Sequence, residues 1–350
     1  MQGNGSNGNS SKPVGLPKRV NSFGFFSETS WTMEGARVAA GVRLAHLKRN
    51  GREDADTEEL FKRVKALEDF VDGKLKSFIL SHPTASWWLR IKGMKLATIA
   101  KVIGEIENFG RYYLEGDLMI PKFVSREAEI DEEGKRWIWV EGIERLQTPS
   151  ALRSFAGLRP DQKREAGSLL TFNINLKVAL FRLFQFSILF GGGKYFEYYH
   201  NYKLRKRNEL ERAGVKIIPT PSGRFCPKCA VEMKVPKDTR FCPTCNTKLA
   251  LKNESEGILF LGHLDAMARR KAITLFSDHL WLTWREALGL PVTRPYVLTH
   301  PEVCGEHQTY ISPWDMVDLP ETAAEEVRAA YQAKLTEQPK TPRKIARMTK

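Results

Sequence analysis

Apolar positions recur at three and four residues along most of the chain, the period of a helix with one buried face. Between 56 and 78 the stripe is Leu60, Val64, Leu67, Val71, Leu75 and Phe78. Asp56 with Glu59 reads as a capping box that opens this helix. An earlier helix is expected from just after Thr32 to about Arg49, with Gly51 as its stop. The two form either a helical hairpin or coiled-coil arm, or a pair of ordinary core helices; the pattern suits both. The longest apolar run, 169–190, includes Asn173, Asn175, Lys177, Arg182 and Gln185, too many polar groups for a lipid span. It reads as a buried helix closed by Gly191-Gly192-Gly193. Other helices are expected over 151–156, 195–213 and 264–288, the last stopped by Gly289-Leu290-Pro291. Strand formers such as Trp137-Ile138-Trp139-Val140 predict an inserted β-hairpin at about 118–145, turning at Asp131-Glu132-Glu133-Gly134. Its acidity argues against direct contact with nucleic acid.

Cysteine spacing adds a second inserted element. Cys226, Cys229, Cys242 and Cys245 form two C-x-x-C pairs, each within a repeated Arg-Phe-Cys-Pro. Two such turns can aim four soft ligands at one point, as tetrahedral zinc prefers, and the spacer between them suits a small β-hairpin. A zinc ribbon is expected, with a structural Zn2+, since four thiolates leave no open position for catalysis. A pair of disulfides is the alternative; the clustered thiols favour metal and a reducing compartment. His300, Cys304 and His307 also lie close in sequence, but three mixed residues carry little weight as a metal site.

Charge bears on the partner. The 350 residues carry 55 Lys and Arg against 41 Asp and Glu, a formal net charge of +14, which favours a polyanion. Trp87 to Lys95, followed by 96–106, has the look of a helix–hairpin–helix. Its turn at Gly93 could offer backbone N–H groups to a phosphate. Arg90, Lys92, Lys95 and Lys101 add charge, Lys95 standing where such units usually have a second glycine. The helix over 195–213 interleaves Tyr198, Tyr199 and Tyr202 with Lys203, Arg205, Lys206 and Arg207. That mixture suits either phosphate and base contacts or a solvated face with inward tyrosines. Arg269, Arg270 and Lys271 open the next helix, and Lys340, Arg343, Lys344, Arg347 and Lys350 give a basic tail.

The fold class expected is therefore mainly α: a helix–hairpin–helix-containing helical domain with an inserted β-hairpin and an inserted zinc ribbon. The segments are a disordered 1–21, a helical arm 22–85, a helical domain 86–215, the ribbon 222–252, a second helical part 258–315, and 316–350, helical and then a basic disordered tail.

Three stretches also resemble a known family. Ile91-Lys92-Gly93-Met94, then Ile103-Gly104-Glu105-Ile106-Glu107-Asn108-Phe109, then Thr148-Pro149-Ser150-Ala151-Leu152-Arg153-Ser154-Phe155-Ala156-Gly157-Leu158-Arg159-Pro160 are similar to the C-terminal module of the insertion-sequence-110 transposases. The stretch from Gly262-His263 through Trp284-Arg285-Glu286 to Pro295-Tyr296 resembles divergent members. The resemblance implies DNA as partner, transposition or recombination as process, a structured RNA as a possible guide, and a cytoplasmic, nucleoid-associated location. A dimer is compatible with it. The family's catalytic carboxylates belong to an RNase-H-like domain, and 1–85 is too short and too helical to be one. The family's nucleophilic serine follows Gly-Leu-x-Pro; the only nearby hydroxyl here is Ser168, beyond Gly167. The resemblance makes Ser168 the candidate nucleophile, with Mg2+ needed only if that chemistry operates. The expectation is a DNA-binding protein without its own catalytic domain: a remnant, a domesticated factor, or the partner of a separately encoded catalytic subunit. The alternatives are an active transposase using Ser168, and an RNA-binding or scaffold zinc-ribbon module.

Overall fold

A computed structural model of the chain describes residues 22–115, 128–159, 167, 169–220, 223–229, 231–233, 235, 239–251, 254, 256–293 and 310–336. Helices α1 (Ser22–Arg49), α2 (Ala55–Leu80), α3 (Ala85–Trp88) and α4 (Leu96–Glu107) come first. Strands β1 (Gly110–Leu114), β2 (Glu129–Ile130) and β3 (Arg136–Glu141) follow, then α5 (Gly142–Arg145), α6 (Pro149–Phe155), α7 (Ile174–Leu183) and α8 (Leu189–Gly191). The chain continues through α9 (Lys194–Arg212), β4 (Lys216–Ile218), β5 (Arg224–Cys226), β6 (Val231–Met233), β7 (Ala250–Leu251), β8 (Ile258–Phe260), α10 (Leu261–Ala287) and α11 (Thr322–Thr336). The protein is mainly helical, as the periodicity predicts. It divides into two compact units, one formed by 1–193 with 277–350, the other by 194–276.

In the first unit α1 and α2 run antiparallel, tied by Ser30 to Asp72, Arg37 to Glu68 and Arg43 to Thr57. α1 starts ten residues before the expected Thr32, and the reason is small-residue packing. A Cβ on Gly104 would lie 2.5 Å from the Ser27 Cβ, and one on Gly24 2.9 Å from the Asn108 side chain. Phe23, Gly24, Ser27 and Ser30 are the buried face, a pattern too weakly apolar to show in the hydrophobic period. The α2 cap is also corrected. Asp54, not Asp56, accepts from Thr57 N–H at 3.1 Å, and Glu59 instead pairs with Arg63.

α4 is the centre of this unit, packed by α1, α2 and α7. It buries Ile99, Val102, Ile103 and Ile106, and Leu75, Ile79, Trp87, Trp88 and Phe184 are buried in the same unit. The apolar run begins its helix at Ile174, not at 169. Asn173 caps it by accepting from Leu176 N–H at 2.9 Å, while Leu169 is exposed. A π-helical turn, Phe184–Ile188, interrupts it before α8. By length and composition alone 174–191 could cross a membrane, yet Leu176, Ala179, Leu180, Leu183 and Phe184 are spent on the core. Its cation Arg182 pairs with Glu34 at 2.6 Å.

The expected β-hairpin is part of a three-stranded antiparallel sheet ordered β1-β3-β2. β2 and β3 pair around the Asp131–Gly134 turn, with Gly134 N–H donating to the Asp131 carbonyl. β1 pairs along the other edge of β3, Tyr112 opposite Trp139, and was missed because Gly110–Leu114 is too short to show a period. In the second unit β4 and β8 form a parallel pair. The segment between them holds an antiparallel sheet ordered β6-β5-β7.

Candidate metal centre and basic surfaces

The sheet β6-β5-β7 and two tight turns carry the four cysteines. β5 ends on Cys226, and Cys229 N–H donates to the Cys226 sulfur at 3.3 Å, so the turn points both thiols inward. The second turn is held by Asn246 N–H to the Cys242 carbonyl at 2.9 Å and Cys242 N–H to the Thr247 carbonyl at 2.8 Å. Asn246 takes φ of 51°, a left-handed conformation that asparagine tolerates. Cys226 and Cys242 are buried with Leu249, and Met233 and Val235 pack beside them.

All four sulfurs lie within 4.8 Å of one another, with Cys226 to Cys245 at 3.4 Å and Cys229 to Cys242 at 4.0 Å. A disulfide needs about 2.0 Å. A tetrahedron of thiolates about 2.3 Å from a zinc ion has edges of about 3.8 Å, which these separations bracket. The cluster can thus hold a metal ion, and its donor set fits a structural zinc site. Without a cation the thiols cannot all ionise. Neighbouring Cys245 and Cys226 push the Cys229 thiol up to about 12, whereas the Thr247 hydroxyl and N–H bring Cys245 down to about 6. A metal ion lets all four act as thiolates.

The basic residues singled out above divide by what holds them. In the first unit, Lys101 bonds to Glu34 at 2.7 Å and lies over the Trp31 ring. Arg90 Nε donates to the Leu319 carbonyl, and its guanidinium lies over Trp314. The side chains of Lys92 and Lys95 are exposed, but the Lys92 main-chain N–H donates to Asp318. Gly93 has φ of +82°, and a Cβ there would lie 2.6 Å from the Ser187 carbonyl oxygen and 2.7 Å from Gly191 Cα. α3, the helix before this turn, has only four residues.

In the second unit, Lys203 on α9 and Arg269 on α10 converge on Asp265, with Lys203 Nζ at 2.7 Å and Arg269 and Tyr199 also bonded to it. Burial acts to raise the Asp265 carboxyl, but Lys203, Tyr199 and Arg269 bring it below its ordinary value. Tyr199 is buried, so this tyrosine of the interleaved set packs inward. Lys206 pairs with Glu209 and Arg207 with Glu211 along α9. Arg205 lies over the half-buried Tyr202 ring, and Arg270 and Lys271 are exposed. The acids Glu34, Asp265 and Asp318 were not singled out from the sequence. Glu34 meets Lys101 from 67 residues away and Asp318 meets the Lys92 N–H from 226, so no local spacing announces either; Asp265 has a local i,i+4 partner in Arg269 but meets Lys203 from 62 residues away. Ser168, His300, Cys304, His307 and the basic tail lie outside the described residues.

Compared with protein-family models, curated proteins and solved structures, the chain gives no match in any of the three.

Proposed function

We propose that this chain is a nucleic-acid-binding protein of insertion-sequence-110 type, acting in DNA transposition or recombination. In this reading it carries no catalytic domain of its own. The four cysteines hold a structural Zn2+. The observation that carries the reading is where the charge lies. The unit 194–276 has 17 Lys and Arg against 8 Asp and Glu, a net of +9 out of the chain's +14. A zinc ion with four thiolates subtracts about two from that, and the unit stays strongly positive. Such concentration on a small unit is an electrostatic footprint for phosphates. The exposed candidates within it are Arg205, Arg207, Arg270 and Lys271. The resemblance of 91–160 and 262–296 to transposase segments narrows nucleic acid to DNA in recombination.

Fluorescence anisotropy of the full zinc-loaded chain with labelled duplex DNA tests the reading. Affinity should fall linearly in log–log form as salt rises, with a slope set by the phosphates neutralised. A chain that binds no nucleic acid at moderate salt leaves only a protein-scaffold role. A covalent DNA adduct abolished by Ser168→Ala establishes the active-recombinase alternative instead.

A further inference from the structure

The ribbon repeats Arg-Phe-Cys-Pro, at 224–227 and at 240–243, yet the two phenylalanines are treated differently. Phe225 lies on the central strand β5, opposite Glu232 on one side and Ala250 on the other, and is partly buried. Phe241 is 53% exposed. It bridges to Lys248 across an antiparallel pair. Leu249 N–H donates to the Arg240 carbonyl and Cys242 N–H to the Thr247 carbonyl, so Phe241 and Lys248 form a pair that is not itself hydrogen-bonded. That is the closer of the two cross-strand arrangements, and it puts both side chains on one face. The neighbours Cys242 and Leu249 alternate to the opposite face, where they are buried at 2% and 5% exposure. The inward face is therefore the metal core, and the outward face carries an aromatic ring beside an ammonium group. Arg240 and Lys228 are exposed on the same small ribbon.

We propose that this outward face is a contact for single-stranded nucleic acid. An unpaired base stacks on the Phe241 ring, and an adjoining phosphate meets Lys248. The chemistry favours a single strand over a duplex because stacking needs an exposed base face, which a duplex hides between its pairs. Phenylalanine has no hydrogen-bonding group to read a base edge, so the contact tolerates any sequence. This inference rests on the nucleic-acid reading above and specifies a strand state and residues within it.

The test uses the full zinc-loaded chain and fluorescently labelled oligonucleotides of one sequence, as single-stranded DNA, single-stranded RNA and duplex DNA. Phe241→Ala should weaken single-strand binding about tenfold while duplex binding changes by less than about twofold. Phe241→Leu, which keeps the apolar bulk but removes the ring, should behave like Phe241→Ala, and Phe241→Trp should restore or tighten binding. Lys248→Gln should weaken all three probes and lower the salt slope by about one. Bound zinc, measured on each variant, should match the parent. If the parent binds single strands and both Phe241→Leu and Phe241→Ala bind them equally well, the inference fails while the nucleic-acid reading stands, and the face is left to a protein partner. If the parent binds none of the probes, the reading itself fails and the inference with it.

Discussion

The main-chain N–H of Lys92 donates to the Asp318 carboxylate at 2.8 Å, and Asp318 N–H donates back to the Arg90 carbonyl at 2.9 Å. Together with Trp87 Nε1 bonded to the Pro313 carbonyl at 3.1 Å, these bonds strap the segment 312–319 over the turn that follows α3. The N–H that a hairpin of this shape could offer to a phosphate is therefore engaged by an anion of the same chain. Asp318→Ala should lower stability by about 1 kcal/mol, the net worth of a charge-assisted hydrogen bond at an exposed position whose N–H can turn to water instead. Asp318→Asn keeps an acceptor oxygen and should lose less. Urea denaturation followed by circular dichroism measures both, and equal midpoints for parent and Asp318→Ala would show that the bond contributes nothing.

Gly93 allows a second prediction at the same turn. Its positive φ and the 2.6 Å approach to the Ser187 carbonyl leave no room for a side chain. Gly93→Ala should destabilise the first unit by about 2 kcal/mol or more, through strain and overpacking combined. The result separates two roles for this glycine. A role limited to phosphate approach leaves the melting temperature unchanged and alters only DNA binding; a packing role lowers the melting temperature with no DNA present.

What was legible in the sequence follows from how each feature is encoded. The cysteine cluster was legible because its ligands are a local spacing, and four thiols at two C-x-x-C turns have few other uses. The helices α9 and α10 were legible from composition and their stops. The start of α1 was not, because its buried face is built from glycine and serine against Gly104 and Asn108, and small residues leave no hydrophobic period. Nor could local pattern show which cations are already held. Lys101 and Lys203 look like free phosphate ligands in sequence, yet one bonds to Glu34 and the other to Asp265. The π-helical turn at Phe184–Ile188 had no Pro or other local signal to announce it.

The metal site gives a third prediction. The purified chain should carry one zinc per molecule by elemental analysis, and Cys226→Ser or Cys242→Ser should abolish that binding, since each is a buried ligand of a closed set. The loss should appear as proteolytic cleavage confined to about 222–252, because Leu249, Met233 and Val235 make too small a core to hold the sheet alone. A chain that retains tetrahedral zinc after Cys242→Ser disproves the four-thiolate assignment.

His279 on α10 supplies a pH dependence. It is 3% exposed, and burial brings its imidazole from 6.5 down to about 4 despite the Ile311 carbonyl, which accepts from Nε2 at 2.9 Å. The unfolded chain binds this proton between pH 6.5 and 4, and the folded chain does not. Stability is thus highest above pH 6.5 and falls as pH drops toward 4, by about 3 kcal/mol for this group alone. Urea midpoints measured across that window should decline more steeply for the parent than for His279→Gln. Parallel declines would show that the histidine is not buried neutral.

Asp265 should be a residue whose removal has opposite effects on stability and on binding. Its carboxylate gathers Lys203, Arg269 and the Tyr199 hydroxyl, and so it joins α9 to the start of α10 within the second unit. Asp265→Asn leaves two neighbouring cations without their shared anion. Their repulsion and the lost charge-assisted bonds should lower stability by about 1–3 kcal/mol, less than for a fully buried pair because these groups keep some contact with water. The same change adds one unit of positive charge and releases two side chains on the most basic part of the chain. If that unit binds nucleic acid, affinity at low salt should rise and the salt slope should steepen by about one to two. A variant with a lower melting temperature and unchanged DNA affinity would place the binding surface away from Lys203 and Arg269. A variant that loses both stability and affinity would mean that the geometry Asp265 imposes, rather than the charge it masks, is what DNA requires.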